Sequence, residues 1–89
     1  MSNSDKFTAT TTWQAIEANG ADITDGTFTV FNLGGHRVGL RKSDTLPTEQ
    51  NGDFYLEKLQ DSTKVTLSAT EELYCKTDTG TAEIGVIPA

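Results

Sequence analysis

The residue types that catalysis or metal binding requires are few in this sequence, and the best-known pattern among them is Asp78-Thr79-Gly80. Aspartic proteases present their catalytic carboxylate on this triplet, and two such aspartates must face each other to share one proton. A dimer could supply the second aspartate, but such a protease needs a long structured stretch after the triplet, whereas nine residues follow Gly80. Because Asp and Gly are frequent where a strand reverses, we interpret the triplet as a tight turn.

His36 is the single histidine and Cys75 the single cysteine. A structural zinc site needs four ligands, so these two residues would require acidic neighbours or another chain. A Cys-His nucleophile pair would lack a third group at a recognisable position to orient the base. We therefore expect an exposed His36 beside Gly34-Gly35 and a buried, inert thiol at Cys75.

The stretch Asp22-Ile23-Thr24-Asp25-Gly26 combines oxygen ligands with a glycine, as calcium-binding loops do. It lacks the spaced carboxylates and the late bidentate glutamate of such a loop, so a turn at Asp25-Gly26 is the favoured interpretation. These patterns together predict no catalytic residue, no metal and no cofactor, and therefore a protein that is not an enzyme.

The composition favours a small β-rich domain. Hydrophobic residues make up 35% of the 89 residues, below the roughly 45 to 50% of an average globular domain. Fifteen threonines compensate in part, because their β-branched side chains suit a pleated surface and disfavour a helix. A domain of this size buries only about 60 to 65% of its unfolded surface, so contact with a partner would stabilise it.

The charge excludes some classes of partner. Thirteen acidic and seven basic residues give a net charge of −6, which repels a phosphate backbone, so nucleic-acid binding is not expected. A single cysteine cannot form an intrachain disulfide. The polar first residues and the absence of a long apolar run predict no membrane segment and synthesis in the cytoplasm.

Period-two patterning predicts an all-β fold, a small antiparallel β-sandwich or barrel of six to seven short strands. Residues 1–5 are expected to form a flexible tail and residues 6–89 one domain. Residues 13–18 fit either a strand or a helical turn, and residues 42–53 form the longest loop. Gly34-Gly35 and Asp78-Thr79-Gly80 are each expected to join two paired strands as a hairpin. The predicted strands cover residues 7–13, 27–32, 38–41, 54–59, 64–68 with 73–77, and 82–87.

One predicted strand is apolar on both faces. Phe28 and Val30 share one face, while Phe31 and Leu33 share the other, which indicates a central strand or one whose outer face meets another subunit. The next strand directs Arg37 and Arg41 outward, and with Lys42 they form a basic stripe on an acidic protein. Such a stripe either docks on an acidic partner surface or is the solvated face of an edge hairpin. The candidate protein interface comprises Phe31, Leu33, Arg37, Arg41 and Lys42.

The aromatic residues permit a different function. Aromatic faces stack on sugar rings, so a carbohydrate-binding or adhesin module of a tail or fibre protein is the alternative function. In a domain with few aliphatic residues, most of these side chains are instead expected in the core. The candidates are Trp13, Phe31, Phe54, Tyr55 and Tyr74.

The order of strands and turns from Phe28 onward, over about two thirds of the chain, resembles small structural proteins of tailed-bacteriophage virions. The matching features are a strand that ends in Phe31-Asn32-Leu33-Gly34, a short return strand Val38-Gly39-Leu40-Arg41, a variable loop, and a final hairpin from Leu73 to Ala82. The chain departs from the family where a Pro-Gly turn often precedes the penultimate strands, since it has Gln60-Asp61-Ser62-Thr63 there.

This resemblance implies a non-enzymatic virion component, such as a capsid decoration protein or a neck or tail accessory protein. It implies a homo-oligomer, with a trimer favoured, that binds a major capsid protein or another virion protein. The expected location is the virion, after synthesis in the host cytoplasm. It implies no catalytic residues.

Overall fold

The computed structural model of the chain describes residues 5–18, 21–48, 54–57 and 60–88. Every regular element among them is a strand, which confirms the all-β prediction. The strands are β1 (Asp5–Ala9), β2 (Gln14–Ala15), β3 (Glu17–Ala18), β4 (Ala21–Asp22), β5 (Thr24–Asn32), β6 (Val38–Ser43), β7 (Phe54–Leu56), β8 (Ser62–Thr77) and β9 (Ala82–Pro88).

Seven of these strands form one antiparallel sheet in the order β1-β9-β5-β8-β6-β7, with β2 also paired to β8, while β3 and β4 form a separate ribbon. The long strand β8 belongs to both ends of this sheet. Its residues 62–67 pair with β5, and its residues 72–77 pair with β6. We call β1, β9, β5 and residues 62–67 the first half-sheet, and β2, residues 72–77, β6 and β7 the second half-sheet.

Strand β8 must bend because it is longer than the molecule. Sixteen residues at about 3.3 Å each would span roughly 50 Å, whereas the largest extent of the protein is 29 Å. The bend lies where Gly26 pairs with Leu67 but Thr24 pairs with Glu72, so four residues of β8 lie opposite Asp25 alone. The Oγ1 of Thr24 donates to the Glu71 carbonyl at 2.5 Å. This hydrogen bond fixes the bulge that separates the half-sheets.

The inner faces of the two half-sheets form one hydrophobic core, the arrangement expected of a small sandwich or barrel. Phe7 and Phe28 pack against its edge. Val38 and Leu40 are fully buried, which is the orientation that alternation gives them when Arg37 and Arg41 face outward. Among the described residues, the large aliphatic side chains that are fully buried are Ile16, Val30, Val38, Leu40, Leu73, Ile84 and Val86.

The strand neighbours differ from those expected at both predicted hairpins. Strands β5 and β6, on either side of Gly34-Gly35, do not pair with each other, and neither do β8 and β9 on either side of Asp78-Thr79-Gly80. Strand β5 instead lies between β9 and β8. Both hairpin predictions are wrong, because a turn motif shows where the chain reverses but does not specify which strand the next segment joins.

Other local predictions have mixed outcomes. Residues 13–18 are extended and contain β2 and β3, with no helical turn. Asp25-Gly26 is not a turn but part of β5, where Asp25 has a φ of 53° at the bulge. The predicted segments 64–68 and 73–77 belong to one strand, β8, and the bulge lies between them. Residues 1–4 of the expected tail and residues 49–53 of the expected loop at residues 42–53 lie outside the described residues. Lys42 and Ser43, expected at the start of that loop, belong to β6.

Asn32 is a fully buried polar residue at the end of β5. Its Nδ2 donates to the carbonyls of His36 at 2.8 Å and of Leu56 at 3.1 Å. Its Oδ1 accepts from the Gly34 amide at 2.9 Å. The backbone of Asn32 also exchanges hydrogen bonds with Gln60 and Asp61, the residues that lead into β8. One side chain therefore connects the loop after β5 to strand β7.

We expect Asn32→Ala to lower the free energy of unfolding by about 2 to 4 kcal/mol, because it leaves buried backbone groups without partners. Urea unfolding followed by circular dichroism measures this change. Thr27→Ala is the matched control, since it removes only an exposed side-chain hydrogen bond to Thr66 and should cost less than about 0.5 kcal/mol. Equal losses in the two variants would contradict a structural role for Asn32.

Candidate functional site

The outer surface of the first half-sheet carries the apolar side chains of Phe31, Leu33 and Ile87 around Gly85. We call these four residues the apolar outer face. Leu33 is 38% exposed and Ile87 36% exposed, and Phe31 is half-buried. A Cβ at Gly85 would lie 3.0 Å from Leu33 Cδ1 and 3.8 Å from Phe31 Cβ, so both side chains cover this glycine. The predicted interface residues Phe31 and Leu33 are therefore brought together.

The register of the sheet explains this cluster. Phe31 lies opposite Gly85, and Thr29 lies opposite Ile87. Because side chains alternate across a strand, these residues face outward while Val30 and its neighbours on the same strand face the core. The expectation that β5 is a central strand is confirmed, since β9 and β8 flank it.

Ile87 was not among the sequence-predicted interface residues. The signal for it was present, because Ala82, Ile84 and Val86 alternate inward and thereby direct residue 87 outward. What the sequence does not contain is the pairing of β9 with β5, which places Ile87 diagonally beside Phe31.

Within the basic stripe, acidic residues of the same chain compensate the positive charge of Arg37. Its Nε and Nη2 donate to Asp78 Oδ2 at 2.9 and 2.5 Å, and its Nη1 lies 3.8 Å from Glu57 Oε2. The guanidinium also lies 4.3 Å from the centre of the Tyr55 ring. The hydrogen bond to Asp78 is the main reason that the pKa of Arg37 is raised. Arg37 thus holds β6 to the turn after β8.

The two other basic residues of the stripe, Arg41 and Lys42, do not form one continuous surface with Arg37. Arg41 is half-buried and lies opposite Tyr74, on the same side of β6 as Arg37. Lys42 is exposed and alternates onto the other side of β6, opposite Leu73. The five predicted interface residues therefore divide between two places. Phe31 and Leu33 lie on the apolar outer face, whereas Arg41 and Lys42 lie on strand β6 of the second half-sheet and Arg37 directly precedes it.

The outer surface of the second half-sheet contains a row of aromatic and basic side chains. Gly39 lies between Lys76 and Tyr55 in the register, and a Cβ on Gly39 would lie 3.0 Å from the Tyr55 ring. Continuing the register of β2 by one residue places Trp13 beside Lys76, whose Nζ is 5.7 Å from the centre of the Trp13 ring. Trp13 and Tyr55 therefore share one surface.

The prediction that most aromatic candidates lie in the core is wrong for the side chains that the structure describes. Only Tyr74 is buried, at 7% exposure, and its hydroxyl donates to Glu72 Oε1 at 3.0 Å. Trp13, Phe31 and Tyr55 are half-buried on outer surfaces. The Phe54 side chain lies outside the described part of the structure. Aliphatic residues and Cys75 supply the buried core instead.

The candidate chemical residues are separated from one another. His36 is exposed as expected, and its Nδ1 lies 2.9 Å from the Thr81 carbonyl, while its ring covers Gly80. Cys75 faces the core and is fully buried, as expected. The chain bends at residues 78–80, with Gly80 at a φ of 67°, but the predicted tight hairpin turn does not form there. The structure therefore forms no Cys-His pair.

The Asp22 to Gly26 stretch also differs from a calcium loop, because Ile23 is buried and Asp25 lies in β5. Within the described residues, no group of three His, Cys, Asp or Glu side chains is placed to hold a metal ion, and no pocket is present. None of the described elements is a helix of the length and apolarity that a membrane crossing requires. Comparisons with protein-family models, curated proteins and solved structures found no match for this chain.

We expect the Cys75 thiol to react with a thiol reagent only when the protein unfolds. Burial raises its pKa from 9.0 to about 12, so the thiolate is scarce in the folded state at neutral pH. The unfolded thiol ionises first as pH rises, so Cys75 lowers the free energy of unfolding by up to about 1.4 kcal/mol per pH unit above pH 9. Labelling rates across a urea series measure the first effect. The pH dependence of the free energy of unfolding, compared between the wild type and Cys75→Ala, measures the second. Fast labelling of the folded protein would contradict this environment.

Proposed function

We propose that this protein is a non-enzymatic structural component of a tailed-phage virion that decorates the capsid as a homo-oligomer. The resemblance in the order of strands along the chain supports the family, and the all-β fold agrees with it. The final hairpin of that resemblance does not form, because β8 and β9 are not neighbours. The observation that carries the proposal is the apolar outer face, whose exposed side chains lie at the centre of a sheet surface.

An exposed apolar cluster on a small domain is typical of a contact with another protein. Polar side chains from the neighbouring positions of β5 and β8 border the cluster, namely Thr27, Thr29, Ser62, Lys64 and Thr66. An apolar centre with a polar border is the common organisation of a protein interface. Contact with a partner would also stabilise the folded domain by mass action, which suits a chain with few hydrophobic residues.

Capsid decoration fits a surface of this modest size. A shell presents many identical sites, and an oligomer that engages several of them gains avidity without a strong individual contact. We propose a major capsid protein or another virion protein as the partner, and the virion as the location after synthesis in the host cytoplasm. The trimer that the resemblance favours remains a prediction. The charge of −6 argues against nucleic acid as the partner.

We expect Phe31→Ser and Leu33→Ser to weaken binding to capsids by about tenfold or more, because each removes apolar area from the proposed contact. Cosedimentation with capsids prepared without this protein measures the bound fraction. Leu46→Ser is the matched control, since Leu46 is 60% exposed but lies after β6, outside the apolar outer face. A wild-type protein that does not cosediment, or equal binding by all variants, would rule out decoration through this face.

Carbohydrate binding is the second candidate, favoured by the row in which Trp13 and Tyr55 share the outer surface of the second half-sheet. A sugar ring stacking there would have to displace the guanidinium of Arg37 from the Tyr55 ring. Glycan-array binding that is lost in both Trp13→Ala and Tyr55→Ala would support this function. Binding that neither substitution changes, or no binding by the wild-type protein, would count against it.

A further inference from the structure

Lys64 is an exposed residue of β8 at the border of the apolar outer face. It lies opposite Thr29, and Ile87 lies opposite Thr29 on the other side, so the three residues form one row across the sheet. Phe31 is two residues from Thr29 along β5. At a strand spacing of about 4.8 Å and a rise of about 3.4 Å per residue, Lys64 is therefore roughly 8 Å from Phe31.

Lys64 differs from the other lysine and arginine side chains that the structure describes, because it has no hydrogen bond or ion pair within the described part of the chain. Its outward neighbours are neutral, with Thr29 opposite and Ser62 and Thr66 along the same strand. The others all interact with the rest of the chain, namely Arg37, Arg41, Lys42 and Lys76. Lys64 is thus left uncompensated in a chain that has 13 acidic and seven basic residues.

The outer surface of the first half-sheet has the opposite sign of charge to the whole protein. Lys64 lies there on β8, and the register of β1 with β9 places Lys6 opposite Gly85. Among the paired residues of this surface, the acidic one is Glu83, which lies opposite Thr8 and already interacts within the chain. Two lysines and one glutamate give a formal charge of +1, whereas the chain as a whole carries −6.

A partner that covers the apolar outer face also covers Lys64. A standard contact of about 800 Å² per partner is roughly 28 Å on a side, so a contact centred on Phe31 includes a residue roughly 8 Å away. Removing an ammonium group from water is unfavourable unless an anionic group pairs with it. Because no carboxylate of the described chain pairs with Lys64, the partner has to supply one.

We propose that the virion protein that covers the apolar outer face contributes a carboxylate that pairs with Lys64, beside an apolar patch that packs on Phe31, Leu33 and Ile87. The inference rests on the proposed function and specifies the chemistry of its partner. Such a surface complements this face in charge as well as in polarity. Complementary charges accelerate association and disfavour partners that carry a basic group at the same position.

Lys64 has a second role to be separated from this one. Residues 62–67 of β8 pair with β5 on one side, and no described strand pairs with them on the other. A lysine on such an edge discourages pairing with strands of other molecules. Lys64→Glu distinguishes the two roles, because a glutamate keeps a charge on the edge but repels a carboxylate of the partner.

We expect Lys64→Glu to raise the dissociation constant for capsids by about tenfold or more, and Lys64→Gln by about threefold or more. Cosedimentation with capsids prepared without this protein measures both constants. The wild type should bind more weakly as the Debye length falls from about 30 Å at 0.01 M salt to about 8 Å at 0.15 M. Lys64→Gln should respond less to salt, because it lacks the charge that salt screens.

Lys42→Glu is the matched control, because Lys42 is exposed and lies on β6, outside the first half-sheet. It changes the net charge as Lys64→Glu does, and its capsid binding should stay within about twofold of the wild type. Lys64 is exposed, so circular dichroism should show Lys64→Glu folded as the wild type is.

The outcomes separate this inference from the proposed function. Wild-type binding by Lys64→Glu, or an equal loss in Lys64→Glu and Lys42→Glu, would overturn the partner carboxylate. If Phe31→Ser lost binding in that same experiment, decoration through this face would stand. A wild-type protein that does not cosediment with capsids would refute decoration and the partner carboxylate together.

Discussion

The structure depends on the bend in strand β8. A straight strand of sixteen residues would project far beyond a body whose largest extent is 29 Å, so β8 turns a corner at residues 68–71. The part of β8 before the bend pairs with β5, and the part after the bend pairs with β6. This corner folds one sheet onto itself, and it allows a chain with few hydrophobic residues to bury both half-sheets in a single core.

At the ends of β5 and β8, hydrogen bonds from buried polar side chains fix the position of the loops. Asn32 sits fully buried among the ends of several elements, and its amide is satisfied by three backbone groups. Thr77 plays a similar part at the end of β8, because its hydroxyl donates to the Gly80 carbonyl at 2.6 Å and its amide donates to Thr10. A buried polar group with all its partners fixes one arrangement of the chain, since any other arrangement leaves it unsatisfied.

The two outer surfaces differ in the contacts that their side chains make within the chain. On the second half-sheet, Arg37 already has carboxylate partners and an aromatic ring within the same molecule. A partner that used Arg37 would first have to compete with these contacts. On the first half-sheet, Leu33 and Ile87 remain more than one third exposed around Gly85. Burial of such side chains gains free energy without breaking existing contacts, so this is the surface where association is most favourable.

The sequence by itself determined which residues of one strand share a face, because alternation is a local property of an extended backbone. The shared face of Val38 and Leu40 and the shared face of Phe31 and Leu33 follow from it. Only the tertiary structure decided which strands are neighbours. The two hairpins expected from turn motifs do not form, because the bend in β8 brings distant strands together and β5 enters between β8 and β9. The apolar outer face arises from that pairing, which depends on contacts between residues far apart in the chain.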